Sequence, residues 1–141
     1  MNVFLAPERF DSVREALAPL GVETSVDSLA LARDGQCRLR WGRTPVDVFF
    51  AYDPIHDAMR SATRSVPFAD TNLPILSPEH LAVCKAVFDR PQDWIDVEQM
   101  MVGAEGFERG EVDAWLARIV GPDSEALRRF RALADEHLGP L

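Results

Sequence analysis

Apolar and polar positions along this chain change period twice, and the changes outline its elements. Asn2 to Leu5 reads as a short strand that hardly begins before Ala6-Pro7-Glu8 starts a helix. That helix carries Phe10, Val13, Leu17 and Leu20 at i, i+3, i+7 and i+10, the acids Glu8 and Asp11 in its first turns, and Gly21 as its stop. Residues 22–34 hold no decisive pattern, although Val26 to Ala32 admits a strand with Asp34-Gly35 as a hairpin turn. Period two then sets in. Cys37, Leu39 and Trp41 alternate with Gln36, Arg38 and Arg40, as in a half-buried strand. After a turn at Gly42-Arg43-Thr44, Val46 to Ala51 is so nearly all apolar that it predicts a strand buried on both faces, interrupted by Asp47.

The second change brings helices. A short one is expected over Asp53 to Met59 with Pro54 at its start, then an extended stretch over Thr63 to Phe68, a turn at Asp70-Thr71-Asn72 and a short buried strand over Leu73 to Leu76. Ser77 and Pro78 form a helix start, and Leu81, Cys84, Val87 and Phe88 make an apolar stripe up to the next helix start at Pro91. Trp94, Val97 and Met101 continue the row. After a loop over Gly103 to Gly110 come Val112, Trp115, Leu116, Ile119 and Val120, the clearest helical period in the chain and expected core, closed by Gly121-Pro122. Ser124 opens a last helix with Leu127, Phe130, Leu133 and Ala134 facing inward. The order predicts one α+β domain over residues 1–141, sheet-rich over 1–76 and helical over 77–141.

Composition narrows the chemistry. The net charge is −8 and the pI near 4.8, which argues against a general binder of nucleic-acid backbones, since that binding is driven by neutralising phosphates. No apolar run approaches the roughly 18 residues of a membrane helix and no signal peptide is evident, so a cytoplasmic protein is expected. Cys37 and Cys84 read as free buried thiols; with them and the scattered His56, His80 and His137, no structural zinc site is expected.

Two features carry candidate chemistry. Lys85, Arg90, Asp93 and Asp96 form a K-x4-R-x2-D-x2-D array across a corner between two helices, with Lys85 at the edge of an apolar stripe. In the simplest reading Lys85 reaches out to solvent, Asp93 stabilises a helix N-terminus and Asp96 is exposed. Asp47 stands inside an apolar strand, where a carboxylate costs several kcal/mol unless it is paired, metal-bound or at a sheet edge. An edge position facing water is the simplest reading there.

The string LSPEHLAVCKAVFDRPQDWIDVEQM resembles the segment that comes after the sheet in small bacterial nucleotidyltransferases of the DNA-polymerase-beta superfamily, including those grouped with AbiEii-type toxins. Lys85, Arg90, Asp93 and Asp96 match at the family's spacing, the VDVFF strand looks like the one bearing its third acidic residue, and NVFLAPERFDSVREALAPLG is similar to the family's segment just after its first two carboxylates. The resemblance covers roughly Asn2 to Met101. It implies a nucleotidyltransferase-like mixed β-sheet with flanking helices and a helical C-terminal half. Asp47 would then be a catalytic metal carboxylate, Lys85 a catalytic residue approaching nucleotide phosphate, and Arg90, Asp93 and Asp96 would hold the helical corner together or line the nucleotide site. It further implies Mg²⁺ and an NTP as cofactors, and a protein, RNA or small-molecule hydroxyl as acceptor.

The family's Gly-Gly or Gly-Ser turn and Asp-x-Asp pair occur nowhere in this chain. Two-metal transfer needs carboxylates from neighbouring strands. These residues as given are therefore expected to be inactive, as an N-terminally incomplete or degenerate member, with a homodimer covering the short first strand. The alternatives are a non-catalytic interaction partner of toxin–antitoxin or phage-defence type, and a scaffold without ligand.

Overall fold

Four strands make the first sheet: β1 (Asn2–Leu5), β2 (Val22–Glu23), β3 (Gln36–Trp41) and β4 (Thr44–Phe50), in the order β1-β4-β3-β2. The coordinates are a computed structural model that describes residues 2–25 and 35–139. The strand expected over Val26 to Ala32, and Asp34 of the turn after it, lie outside the described residues. β1 runs parallel to β4 with Asn2 opposite Asp47, and β3 runs antiparallel to it with Arg38 opposite Asp47. The sheet is therefore mixed. One face packs with α1 (Phe10–Leu17), which ends through a short 3-10 turn at Gly21, whose φ of 80° is the left-handed conformation glycine adopts without cost.

The core of this part is Phe10, Val22, Leu39, Val46, Val48 and Phe50, with Val3, Leu5, Leu17 and Cys37 against it. Phe10 meets Phe50 edge to face, with ring centroids 5.1 Å apart. Two expectations are corrected here. β4 is not buried on both faces: Val46, Val48 and Phe50 are buried, whereas Asp47 and Phe49 between them are half-buried. The true period is two, and the apolar Phe49 on the more open face hides it. Trp41 does not enter the core but lies 53% exposed at the end of β3, its indole N–H donating to the carbonyl of Leu20 at 3.0 Å. There the outer side of β3 is covered only by the two-residue β2, with Thr44 of β4 on the other side.

The chain divides into two compact units, Met1–Asp57 and Ala58–Leu141, and the boundary falls inside α2 (Pro54–Ser61). The second unit opens with a two-stranded antiparallel ribbon, β5 (Arg64–Phe68) and β6 (Thr71–Ile75), whose turn is at Ala69-Asp70 and not at Asp70-Thr71-Asn72. The expected buried strand is corrected too: every residue of β6 is exposed, including Leu73 and Ile75. Two strands alone form no layer with a buried middle.

Four helices come next, α3 (Pro78–Phe88), α4 (Pro91–Gly103), α5 (Arg109–Ile119) and α6 (Glu125–Leu138), around Val83, Trp94, Val97, Met101, Leu116 and Phe130. The fold class is α+β, as expected, with a helical C-terminal half. The face of α3 differs from the expected one. Glu79, His80, Ala82, Val83 and Ala86 are buried, Cys84 is half-buried, and Leu81, Val87 and Phe88 are exposed. α3 packs on α4, α5 and α6, and alanines on its inner face admit neighbouring helices more closely than leucine and phenylalanine would. In α5 the inward stripe is narrower than expected, with Val112 and Leu116 buried, Trp115 half-buried and Ile119 exposed.

Ser77 caps α3 as its sequence predicts, accepting from the backbone N–H of His80 at 3.3 Å, and its hydroxyl also meets His80 Nδ1 at 2.9 Å. Both residues are buried. Ser77→Ala is expected to lower stability by about 1–2 kcal/mol, since it strips a partner from two buried polar atoms. Urea denaturation measures this, and a change below about 0.3 kcal/mol would show the cap to be redundant.

Candidate functional site

The charged array becomes one network because the chain turns sharply between α3 and α4. Asp89 ends α3 in the left-handed conformation with φ 53°, Arg90 is extended, and Pro91 fits the first position of α4. This brings Lys85, in the last turn of α3, against Asp93 and Asp96 in the first turns of α4. Lys85 Nζ donates to Asp93 Oδ1 at 3.1 Å and to Asp96 Oδ2 at 2.6 Å. Arg90 Nε donates to Asp93 Oδ2 at 2.6 Å, its Nη2 to Oδ1 at 3.0 Å and its backbone N–H to Oδ2 at 3.3 Å. Gln92 holds the other oxygen of Asp96 at 3.1 Å.

This geometry sets the electrostatics. Asp93 is 1% exposed, and the Arg90 fork, helped by Lys85, holds its carboxyl down at about 2 against the cost of burial. Asp96, with Asp93 behind it, keeps the Lys85 ammonium charged above the usual lysine range. Lys85 does not reach out to solvent, since only 24% of its side chain is exposed. Two positive and two negative groups leave the corner neutral. Aromatic groups pin it further: Trp94 donates to Asp89 Oδ1 at 2.6 Å, Arg129 stacks on Trp94 at 4.5 Å and Arg90 lies over Phe88 at 5.5 Å.

Lys85 and Asp96 also line an open groove of about 780 Å³, together with Arg64, Leu81, Gln99 and Glu105. The groove is mixed in character, with apolar walls and charges that cancel. A phosphate approaching Lys85 there has to compete with Asp96 for the ammonium.

Asp47 belongs to the first unit and stands in the middle of its sheet, not at an edge. Its partner is Arg38, directly opposite on β3, whose Nε donates to Asp47 Oδ1 at 2.5 Å. Among the described residues no three His, Cys, Asp or Glu side chains gather as a metal site. One carboxylate already held by a guanidinium does not meet the demand of Mg²⁺ for oxygen ligands in octahedral array, so the described residues do not fit a two-metal centre.

Arg38 is not legible as a site residue from composition, although the hairpin pairing gives it away. Glu79 carries no sequence signal of its role: it is buried beside Ser77, accepts from the Glu108 backbone N–H at 3.3 Å and has Arg64 3.7 Å away. On α6, Arg131 forks onto Asp113 at 2.6 and 3.0 Å. Cys37 and Cys84 are free but only half-buried, and burial pushes the Cys84 thiol up to about 11. Among the described residues no helix is long and apolar enough to cross a membrane. No protein-family model matches this sequence, and no curated protein aligns with it significantly.

Proposed function

We propose that this chain is a nucleotidyltransferase-like protein of the bacterial cytoplasm that binds a nucleoside triphosphate, with Asp47 as its sheet carboxylate. The observation that supports the reading is the parallel pairing of β1 with β4, Asn2 opposite Asp47. The resemblance concerns two segments far apart in sequence, one lying after the family's first two carboxylates and one bearing the third. In that chemistry the carboxylates come from neighbouring strands. β1 and β4 are neighbours, as the reading requires.

Calorimetric titration with ATP, GTP, CTP and UTP, in Mg²⁺ and in Mn²⁺, tests this. Binding that weakens at least about tenfold in Asp47→Asn is the expected result, a loss of roughly 1.4 kcal/mol or more. No heat with any nucleotide would overturn it. So would binding that this variant leaves unchanged.

A second reading, a non-catalytic interaction protein, is favoured by the exposed Leu73 and Ile75 of β6 and the exposed Leu81, Val87 and Phe88 of α3. A chain that binds no nucleotide but loses a partner on Phe88→Asp would support it.

A further inference from the structure

Three helices of this chain begin alike, with proline in the first helical position and a side chain two places later that turns back on the start: Asp53-Pro54-Ile55-His56, Ser77-Pro78-Glu79-His80 and Arg90-Pro91-Gln92-Asp93. At α4 the returning group is a carboxylate, Asp93, which accepts from the Arg90 backbone N–H. At α2 it is an imidazole. Asp53 Oδ1 accepts from the backbone N–H of Ile55 at 3.0 Å, while His56 Nδ1 accepts from those of Asp53 at 3.0 Å and Tyr52 at 3.2 Å. This is the reciprocal capping arrangement in which Glu or Gln ordinarily takes the returning position. Histidine differs from both in one respect. Its ring nitrogen accepts only while unprotonated, and it is the side chain whose charge changes near neutral pH.

We propose that His56 is a pH-sensitive cap: protonation at Nδ1 expels the Tyr52 and Asp53 backbone donors and frees the first turn of α2, the helix within which the boundary between the two compact units falls. With both donors on Nδ1, the neutral ring carries its proton on Nε2. The groups facing the ring act in opposite directions. Burial disfavours the charged form and outweighs the attraction of Asp53 and Asp57, so the ring takes its proton below the ordinary histidine range. Tyr52 meets it edge-on at 5.3 Å, and Arg60, one turn further along α2, adds a like charge to a protonated ring.

Linkage gives the sign. The unfolded chain binds the proton at about pH 6.5 and the folded chain only at lower pH, so the cap contributes fully above that range and its contribution is lost as pH falls through it. His80 provides an internal contrast. Its Nδ1 faces the Ser77 hydroxyl, which can accept as well as donate, so protonation there leaves the bond in place.

Amide hydrogen exchange of the full chain, corrected for intrinsic rates, tests the proposal beside an NMR titration of the His56 ring. Protection of the Tyr52 and Asp53 amides is expected to fall about five- to tenfold between about pH 7.5 and pH 5, in step with the ring. His56→Gln keeps an acceptor that does not titrate, and its protection should change less than about twofold over the same range. In His56→Ala the two amides should be unprotected at both ends. The idea is overturned if the wild-type ring titrates while its amides stay protected, or if the glutamine variant loses protection as the wild type does.

Discussion

Asp93→Ala lowers the unfolding free energy by about 2–4 kcal/mol, the cost of removing one member of a buried ion pair while leaving the others in place. Asp93 is the hub of the corner between α3 and α4. It accepts from Lys85, from both ends of the Arg90 fork and from the Arg90 backbone N–H, and it is almost wholly buried. Much of the Arg90 side chain is open to water and can recover hydration when its partner goes. Lys85 is mostly covered and keeps only Asp96. The same group makes the protein sensitive to acid. Because the Asp93 carboxyl is held at about 2 in the fold, below its ordinary 3.8, its contribution is complete above the ordinary value and is lost as pH falls from there through about 2. Urea midpoints of wild type and Asp93→Ala should therefore differ most near neutrality and converge at low pH. A loss below about 0.5 kcal/mol at neutral pH would mean that the corner relaxes around the missing group.

Phe130→Ala is expected to cost more, about 3–5 kcal/mol. Phe130 is 0% exposed on α6, and α6 packs on α3, α4 and α5, so the ring sits where a void cannot be closed by moving one neighbour alone. The denaturation midpoint should fall with its slope unchanged, since the surface exposed on unfolding is nearly the same. Leu138→Ala on the exposed end of the same helix serves as the control and should stay within about 0.5 kcal/mol of wild type. A comparable loss from the control would mean that the effect of Phe130 is not specific to its buried position.

Local chemistry is the legible part of this chain. Ser77 and Ser124 cap helices where the sequence places caps, Gly21 ends the first helical stretch, and Pro91 starts α4. Such devices act within four or five residues, so a single sequence contains all of their terms. The K-x4-R-x2-D-x2-D spacing is legible for the same reason, since one sharp turn suffices to bring the groups together.

Features decided by distant neighbours are not legible. Nothing in Leu81 or Phe88 says that α3 turns its alanines inward, because that choice belongs to the helices it packs on. β6 looks buried by hydropathy and is exposed because, among the described residues, no third strand joins it. The partner of Asp47 lies between these cases. Reading the turn as two residues, Gly42-Arg43, pairs Trp41 with Thr44 and hence Arg38 with Asp47, the register observed. Counting Thr44 as a third turn residue hides it.

The ribbon of β5 and β6 carries Pro67 opposite Asn72 and Pro74 opposite Ser65. A proline in a ladder has no N–H to give, so at both positions the nitrogen must point away from the partner strand, towards the rim. Each rim therefore lacks a donor at a place where a third strand would need one. The exposed apolar side chains of this ribbon would otherwise invite growth, strand upon strand, among crowded copies of the chain during synthesis. With one proline on each rim, the ribbon is a poor seed for that growth.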